Sequence, residues 1–215
     1  PGENLSYCND GFGLLSEIVH RVSGEKSFAA YVEKNILKPL SMGRSTCEFM
    51  KPAADPNCTT LYEDEKANRD FYDNAFVLMG GGAMKSTLND MKNYVRFHLT
   101  EGLAPSGERV LSEYAIREMH KPHAIYGHQS YYGYGLSIQH MGDFVCVGHG
   151  GSLHGVSSHL LFSKQLGVGV MVLCNKSGVP VAGIAEAAMR WFGGLPVEKT
   201  VCREEDPWTA EQIQK

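Results

Sequence analysis

The spacing of apolar residues changes partway along this 215-residue chain, and that change constrains the fold more than any other feature. Up to about residue 125, apolar residues recur every three or four positions in separate segments, which is typical of amphipathic helices. After about residue 131, short runs rich in β-branched and aromatic residues alternate with tight turns, which is typical of antiparallel strands. Helices followed by a strand meander predict an α+β fold with segregated layers.

The helical patterns predict five helices. Gly24 ends the first as a C-terminal stop, and Asn9 or Asp10 is expected to cap its start. The S-T-x-x-D pattern at residues 86–90 follows a glycine turn and predicts an N-cap and a first-turn acid, with the helix running on through Leu99. The other predicted helices are residues 11–22, 27–36, 112–120 and 181–192. A long irregular stretch at 41–75 is expected to be functional or a cleft wall.

The second part of the chain predicts four strands covered by the last helix. The strands are expected at residues 132–140, 144–149, 158–162 and 168–175, with hairpin tips at 142–143 and 164–167. The organisation that follows is a helical and loop-rich region at 1–125, an antiparallel sheet with a closing helix at 126–198, and a tail or linker at 199–215.

Composition and charge exclude several classes of protein. The formal net charge is −4 and no basic run is present, which argues against binding to nucleic acid. The longest apolar run is far shorter than the ~20 residues that a membrane span requires. The six cysteines form no C-x-x-C pair, which argues against a structural zinc site. The compartment stays open.

The first candidate site is a Tyr-x-Asn pattern directly before the first helix. Tyr7 and Asn9 could simply staple and cap that helix. They could also act in catalysis, with the phenol as a general base and the amide holding a substrate carbonyl. A phenol has an ordinary pKa near ~10, so a base at neutral pH needs a cation beside it.

The second candidate site is the G-H-G-G run at residues 148–151. Consecutive glycines at a strand allow a ligand or another backbone to come close, because no Cβ intervenes. Backbone N–H groups there could donate to a developing oxyanion. The alternative is a glycine-rich hairpin in which His149 has no role.

Taken together, five segments resemble the class C β-lactamase-like serine hydrolases, a family that includes penicillin-binding proteins, DD-peptidases, esterases and D-aminopeptidases. The resemblance runs in order from Pro1 to about Trp191. It rests on residues 1–24, 36–46, 80–91, 132–136 and 148–175.

The resemblance implies a role for each matching residue. Tyr7 would take the proton from the nucleophile and pass it to the leaving group, and Asn9 would orient the substrate. His149 stands where many members have the lysine of K-T-G. No cofactor is implied.

The resemblance also implies how the strand carrying His149 would meet the substrate. Gly150 and Gly151 would line the substrate, and the backbone N–H of Ser152 would be an oxyanion donor. Because a histidine is mostly neutral at pH 7, we expect an ester or small amide rather than a penicillin-like substrate, within the wider class of small esters, amides, β-lactams and peptides.

The resemblance implies a Ser-x-x-Lys nucleophile motif, which must lie on one helical face before the tyrosine. The single match, Ser23 to Lys26, contains Gly24 and lies after Tyr7. We therefore expect the nucleophile upstream of Pro1 in a longer parent hydrolase, and we expect this chain alone to be inactive. An exposed sheet edge, which would favour a homo-oligomer, is a further expectation.

Rival interpretations are less well supported. A cysteine hydrolase using Cys8 or Cys146 has no supporting pattern in the sequence. An α/β-hydrolase would use the H-G-G run as an oxyanion loop, yet no G-x-S-x-G elbow follows it. A metal site built from His149, His154 and His159 lacks a ligand pattern. The remaining rival is a β-lactamase-like scaffold that has lost catalysis and serves as a binding module.

Overall fold

The computed structural model describes residues 5–68 and 79–197 of the chain, and it confirms the α+β prediction. The helices are α1 Asn9–Ser23, α2 Phe28–Val32, α3 Met50–Ala53, α4 Met79–Gly82, α5 Leu88–Leu99, α6 Glu113–Met119 and α7 Val181–Phe192. The strands are β1 Leu61–Glu63, β2 Lys66–Asn68, β3 Ala124–Gly127, β4 Ser130–Tyr132, β5 Ser137–Met141, β6 Phe144–Leu153, β7 Val156–Ser163 and β8 Val168–Cys174.

Helices α5, α6 and α7 confirm the sequence predictions closely. The Thr87 hydroxyl accepts the Asp90 N–H at 3.2 Å and starts α5. The Ser112 hydroxyl accepts a hydrogen bond from the third residue of α6 in the same way. These side chains satisfy backbone donors that the first turn of a helix leaves unpaired.

The start of α1 differs from the prediction. The helix begins at Asn9, and its N-cap is Cys8, whose Sγ accepts the Gly11 N–H at 3.3 Å. The expectation that Asn9 or Asp10 caps this helix is therefore wrong, because the cap falls one residue earlier. Gly24 ends the helix in the left-handed conformation (φ 71°), as predicted.

The next two segments differ from the prediction. The first is less regular than expected, and the second contains more regular structure. The expected helix at 27–36 is α2 followed by a π-helical turn, Glu33–Leu37. The expected irregular stretch at 41–75 contains α3 and a hairpin formed by β1 and β2. The last part of that stretch, residues 69–75, lies outside the described residues.

The main sheet is a six-stranded antiparallel meander in the order β3-β4-β5-β6-β7-β8. The prediction of a single strand at 132–140 is wrong, because this segment belongs to two strands, β4 and β5, that are joined by a turn. Gly135 adopts φ 74° there, and the Gly133 N–H donates to the Leu136 carbonyl at 2.8 Å. A side chain at Gly133 would overlap the Met119 carbonyl, so packing against the end of α6 enforces the turn.

Both hairpin tips lie where the sequence predicted them, although β6 and β7 run longer than expected. The glycines at 148, 150 and 151 are all inside β6. The tail predicted at 199–215 lies outside the described residues.

A helix covers each face of the sheet. On one face, Cys146 and Leu161 pack against Ala185 and Met189 of α7, all of them buried. On the other face, Val95 of α5 packs in a cluster with apolar side chains of β5, β6 and β7. A third apolar cluster joins the segment from α2 to α3 with α5 and α6. These cores fix the orientation of β6, which carries the candidate site.

Two histidines lie between α5, α6 and the sheet, His98 buried and His120 partly buried. His98 is fully buried, its Nδ1 lies 2.9 Å from Nε2 of His120, and its ring stacks on Phe162 with centroids 5.1 Å apart.

None of the helices in the described part of the chain is long and apolar enough to cross a membrane.

Candidate active site

Five of the six residues predicted to form the site line one cavity of about 610 Å³, and Asn9 does not. Tyr7 reaches it from the segment before α1, and His149, Gly150, Gly151 and Ser152 reach it from β6. Strand β6 extends beyond the first residue of β5, since Gly148 pairs with Ser137 and no later residue of β6 pairs with β5. No described strand pairs with that part of β6 on this side, so it presents a free edge among the residues that line the cavity.

Tyr7 lies against two other rings at the mouth of the cavity. Its ring meets Tyr132 edge-on at 6.2 Å and lies 6.1 Å from the imidazole of His149. Burial raises the pKa of the Tyr7 phenol above its ordinary value, and Tyr126 adds to the effect. As this chain stands, Tyr7 is therefore a neutral phenol at pH 7.

Asn9 does not join these residues at the cavity. It is exposed at the first position of α1, and its side chain faces Gly81 of α4. A Cβ built on Gly81 would lie 3.6 Å from Asn9 Oδ1. The structure thus brings Tyr7 and the β6 residues together, whereas the Asn9 side chain lies against α4 and is not among the lining residues.

His149 makes two hydrogen bonds, one through each ring nitrogen. Nε2 lies 2.9 Å from the hydroxyl of Tyr132, and Nδ1 lies 2.5 Å from the carbonyl oxygen of Gly150. The imidazole is thereby held between β4 and its own strand, beside the ring of Tyr7.

The backbone of the neighbouring strand requires a glycine at position 148, and side chains of that strand lie close to the glycines at 150 and 151. A Cβ at Gly148 would overlap the carbonyl of Leu160 in β7. A Cβ at Gly150 would come within 3.0 Å of His159 Nδ1, and one at Gly151 within 2.6 Å of the Ser158 hydroxyl. The G-H-G-G run therefore permits β7 to pair closely with β6, in addition to leaving space on the cavity side.

Several residues that line the cavity had no role predicted from the sequence. Tyr132 lay inside a matched segment, but its contact with His149 depends on the β4–β5 turn. His159 was considered only as a metal ligand, and Tyr126 and Gln139 carried no signal. The described lining is hydroxyl, phenol, amide, imidazole and apolar groups, and it contains no Asp, Glu, Lys or Arg.

Among the residues described, no three His, Cys, Asp or Glu side chains are grouped to hold a metal ion.

The single Ser-x-x-Lys match lies far from Tyr7. Ser23 is the last residue of α1, and its hydroxyl donates to the His20 carbonyl at 3.1 Å. Tyr7 precedes the first residue of the same helix, so at 1.5 Å per residue the two are separated by about 20 Å along the axis. Ser23 cannot exchange a proton directly with Tyr7.

Comparisons with known proteins identify the family. The model of the family described as Beta-lactamase matches residues 1–191, so the chain belongs to the β-lactamase family. A D-aminopeptidase of Brucella canis is 26% identical over 96% of this chain, and the chain spans 38% of that protein's length.

Two solved structures share the fold. An octameric penicillin-binding protein homologue from Pyrococcus abyssi is 28% identical with a TM-score of 0.79, and the match covers 93% of this chain and 45% of that one. A penicillin-binding protein from Bacillus halodurans is 26% identical with a TM-score of 0.69, over 89% of this chain and 57% of that one. The resemblance deduced from the sequence is confirmed.

Proposed function

We propose that this chain supplies the tyrosine and the substrate-binding strand of a serine hydrolase that acts through an acyl-enzyme. The observation that carries the proposal is the meeting of Tyr7 with His149 and the glycine-containing edge of β6 around one cavity. Tyr7 and His149 lie 142 positions apart in the sequence. They occupy the positions that the family resemblance assigns to the general base and the substrate strand.

Tyr7 needs a partner before it can act as a base. Its pKa is raised by burial, whereas a general base works best with a pKa near the operating pH. A lysine placed beside the phenol would lower that pKa by favouring the phenolate. We propose that the Ser-x-x-Lys motif outside this chain supplies both this cation and the nucleophile, and that the chain alone does not hydrolyse substrate.

The lining of the cavity favours a substrate without a carboxylate to pair with a permanent cation. The described lining residues carry no fixed charge, and His149 replaces a permanent cation. The similar proteins named above include a D-aminopeptidase. We propose that the substrate is a small ester or amide, with D-amino-acid amides and peptides as the first compounds to test.

The proposal can be tested by intact-mass labelling with a fluorophosphonate probe. This chain should give no adduct, whereas a version extended upstream to include Ser-x-x-Lys should be labelled stoichiometrically. In the extended version, Tyr7→Phe should lower kcat/KM for an amide substrate by about 10²- to 10⁴-fold, the usual contribution of a general base. Tyr134→Phe is the matched control, because Tyr134 stacks on His123 at 4.3 Å and does not line the cavity.

Two results would overturn the proposal. An adduct on Ser23 or Ser152 of this chain would place the nucleophile here. If the upstream sequence lacks Ser-x-x-Lys and no labelling occurs, the chain is instead part of a catalytically inactive β-lactamase-like scaffold or binding module.

We also propose that the outer edge of β8 supports self-association. No described strand pairs with that edge, and Leu173 on β8 is 41% exposed. An unpaired edge offers backbone donors and acceptors to another strand. Sedimentation of the wild type against Leu173→Lys should show a dimer or larger species that the variant weakens. A monomeric wild type would exclude the proposal.

A further inference from the structure

The two hydrogen bonds of His149 determine which ring nitrogen carries the proton. A backbone carbonyl can only accept, so the nitrogen facing the Gly150 carbonyl, Nδ1, must be the donor. A neutral imidazole has a single N–H, and Nε2 is then an acceptor. The hydroxyl of Tyr132, 2.9 Å from Nε2, therefore donates to it.

Tyr132 is suited to act as that donor. Burial raises the pKa of its phenol to about 12, with Tyr7 and Tyr126 contributing to the rise. The hydroxyl therefore keeps its hydrogen throughout the neutral range. Three described titratable groups face His149: Tyr132 from β4, Tyr7 from the segment before α1, and His159 from β7. Of these, Tyr132 is the one with a hydrogen bond to the ring.

We propose that Tyr132 is a positioning residue that holds His149 in the Nδ1–H tautomer and fixes its ring against the Gly150 carbonyl. The geometry of both bonds carries this assignment, and only its importance for catalysis rests on the proposed function. Because the Gly150 carbonyl lies where β6 has a free edge, Tyr132 acts through His149 to hold the edge that would meet the substrate.

The assignment has a consequence for the role of His149. Both ring nitrogens are occupied within the chain, one by donating and one by accepting. In this state, His149 neither takes a proton from a nucleophile nor donates one to a substrate. It orients the β6 edge, and the proton transfer is left to Tyr7.

The tautomer can be measured directly in this chain without substrate. We would label the nine histidines with nitrogen-15 and record long-range proton–nitrogen correlation spectra at pH 8. The His149→Gln variant identifies the His149 signals by their loss. In the wild type, the spectrum should show a protonated Nδ1 and a bare Nε2 for His149.

The Tyr132→Phe variant removes the donor and keeps the ring. Losing one neutral hydrogen bond should lower the ratio of Nδ1–H to Nε2–H tautomer by about two- to twelvefold, so the two nitrogen signals should move toward each other. Tyr134→Phe should leave both signals unchanged, since Tyr134 stacks on His123 and makes no contact with His149.

Three outcomes would overturn the inference: a wild-type His149 with the proton on Nε2, an imidazolium at pH 8, or an unchanged tautomer in Tyr132→Phe. The wild-type spectrum decides the tautomer even if the variant fails to fold. Because no nucleophile or substrate takes part, failure of the proposed hydrolase function would leave this result standing.

Discussion

Acid should destabilise this protein through the hydrogen-bonded pair of buried His98 and partly buried His120. Burial, with His120 as the second cause, lowers the pKa of His98 to about 3. Burial also lowers the pKa of His120 to about 4; Lys164 adds to this and Glu101 opposes it. Both imidazoles are therefore neutral in the folded chain at pH values where an unfolded chain would protonate them.

The sign and size of the effect follow from linkage. The unfolded state binds more protons below its ordinary histidine pKa of about 6.5, so full stability is present above that value and is lost as the pH falls toward the folded-state pKa values. At pH 5, His98 remains neutral in the folded state while the unfolded histidine is about 1.5 pH units below its pKa. At 1.36 kcal/mol per unit, His98 should cost about 2 kcal/mol of the free energy of unfolding.

Urea unfolding at pH 8 and pH 5 measures this cost. The His98→Gln variant should start less stable at pH 8, because it disrupts the stack on Phe162. Between pH 8 and pH 5 it should lose about 2 kcal/mol less than the wild type. His128→Gln, at an exposed position, is the matched control and should lose as much as the wild type. Equal losses in the wild type and His98→Gln would refute the reasoning.

Three further substitutions test packing and buried polarity, each by urea unfolding. Gly148→Ala should disrupt the pairing of β6 with β7, because its Cβ would overlap a carbonyl of β7, whereas Gly183→Ala has open space and should be neutral or stabilising. Phe162→Ala, at a fully buried position, should lower the free energy of unfolding by about 3–5 kcal/mol. Phe192 is 50% exposed, so Phe192→Ala should cost far less. Equal costs for the two variants would contradict the argument from burial. Asp90→Ala should cost about 1–3 kcal/mol, because it removes the oxygen that accepts hydrogen bonds from the Ser45 hydroxyl at 2.7 Å and the Arg44 N–H at 2.8 Å. An unchanged midpoint would show that these two bonds contribute nothing.

The parts of the fold that the sequence predicted well are those governed by local signals. Helix α7 has the boundaries expected from its apolar spacing, and α5 begins at the expected Ser-Thr cap. The prediction failed at residues 132–140, where alternating apolar residues favour one strand. The turn there is enforced by the end of α6, which is distant in sequence from β5. The π-helical turn after α2 left no recognisable local pattern either.

The candidate site likewise contains residues that the sequence predicted and residues that it could not. Tyr7 and His149 could be found because each lies in a short pattern that the family shares. Tyr132 could not be assigned a role, because its hydroxyl reaches His149 only once β4, β5 and β6 are in register. The resemblance placed Asn9 in the site, yet in this chain its side chain faces α4.

The strand order of the main sheet has a consequence for the order in which parts of the protein fold. Each of the six strands pairs with the next one along the chain, so the sheet and α7 rest largely on contacts between sequence neighbours. Tyr7, in contrast, precedes His149 by 142 positions, so it must wait for the intervening chain to be made before β6 exists. The cavity is therefore a late product of folding.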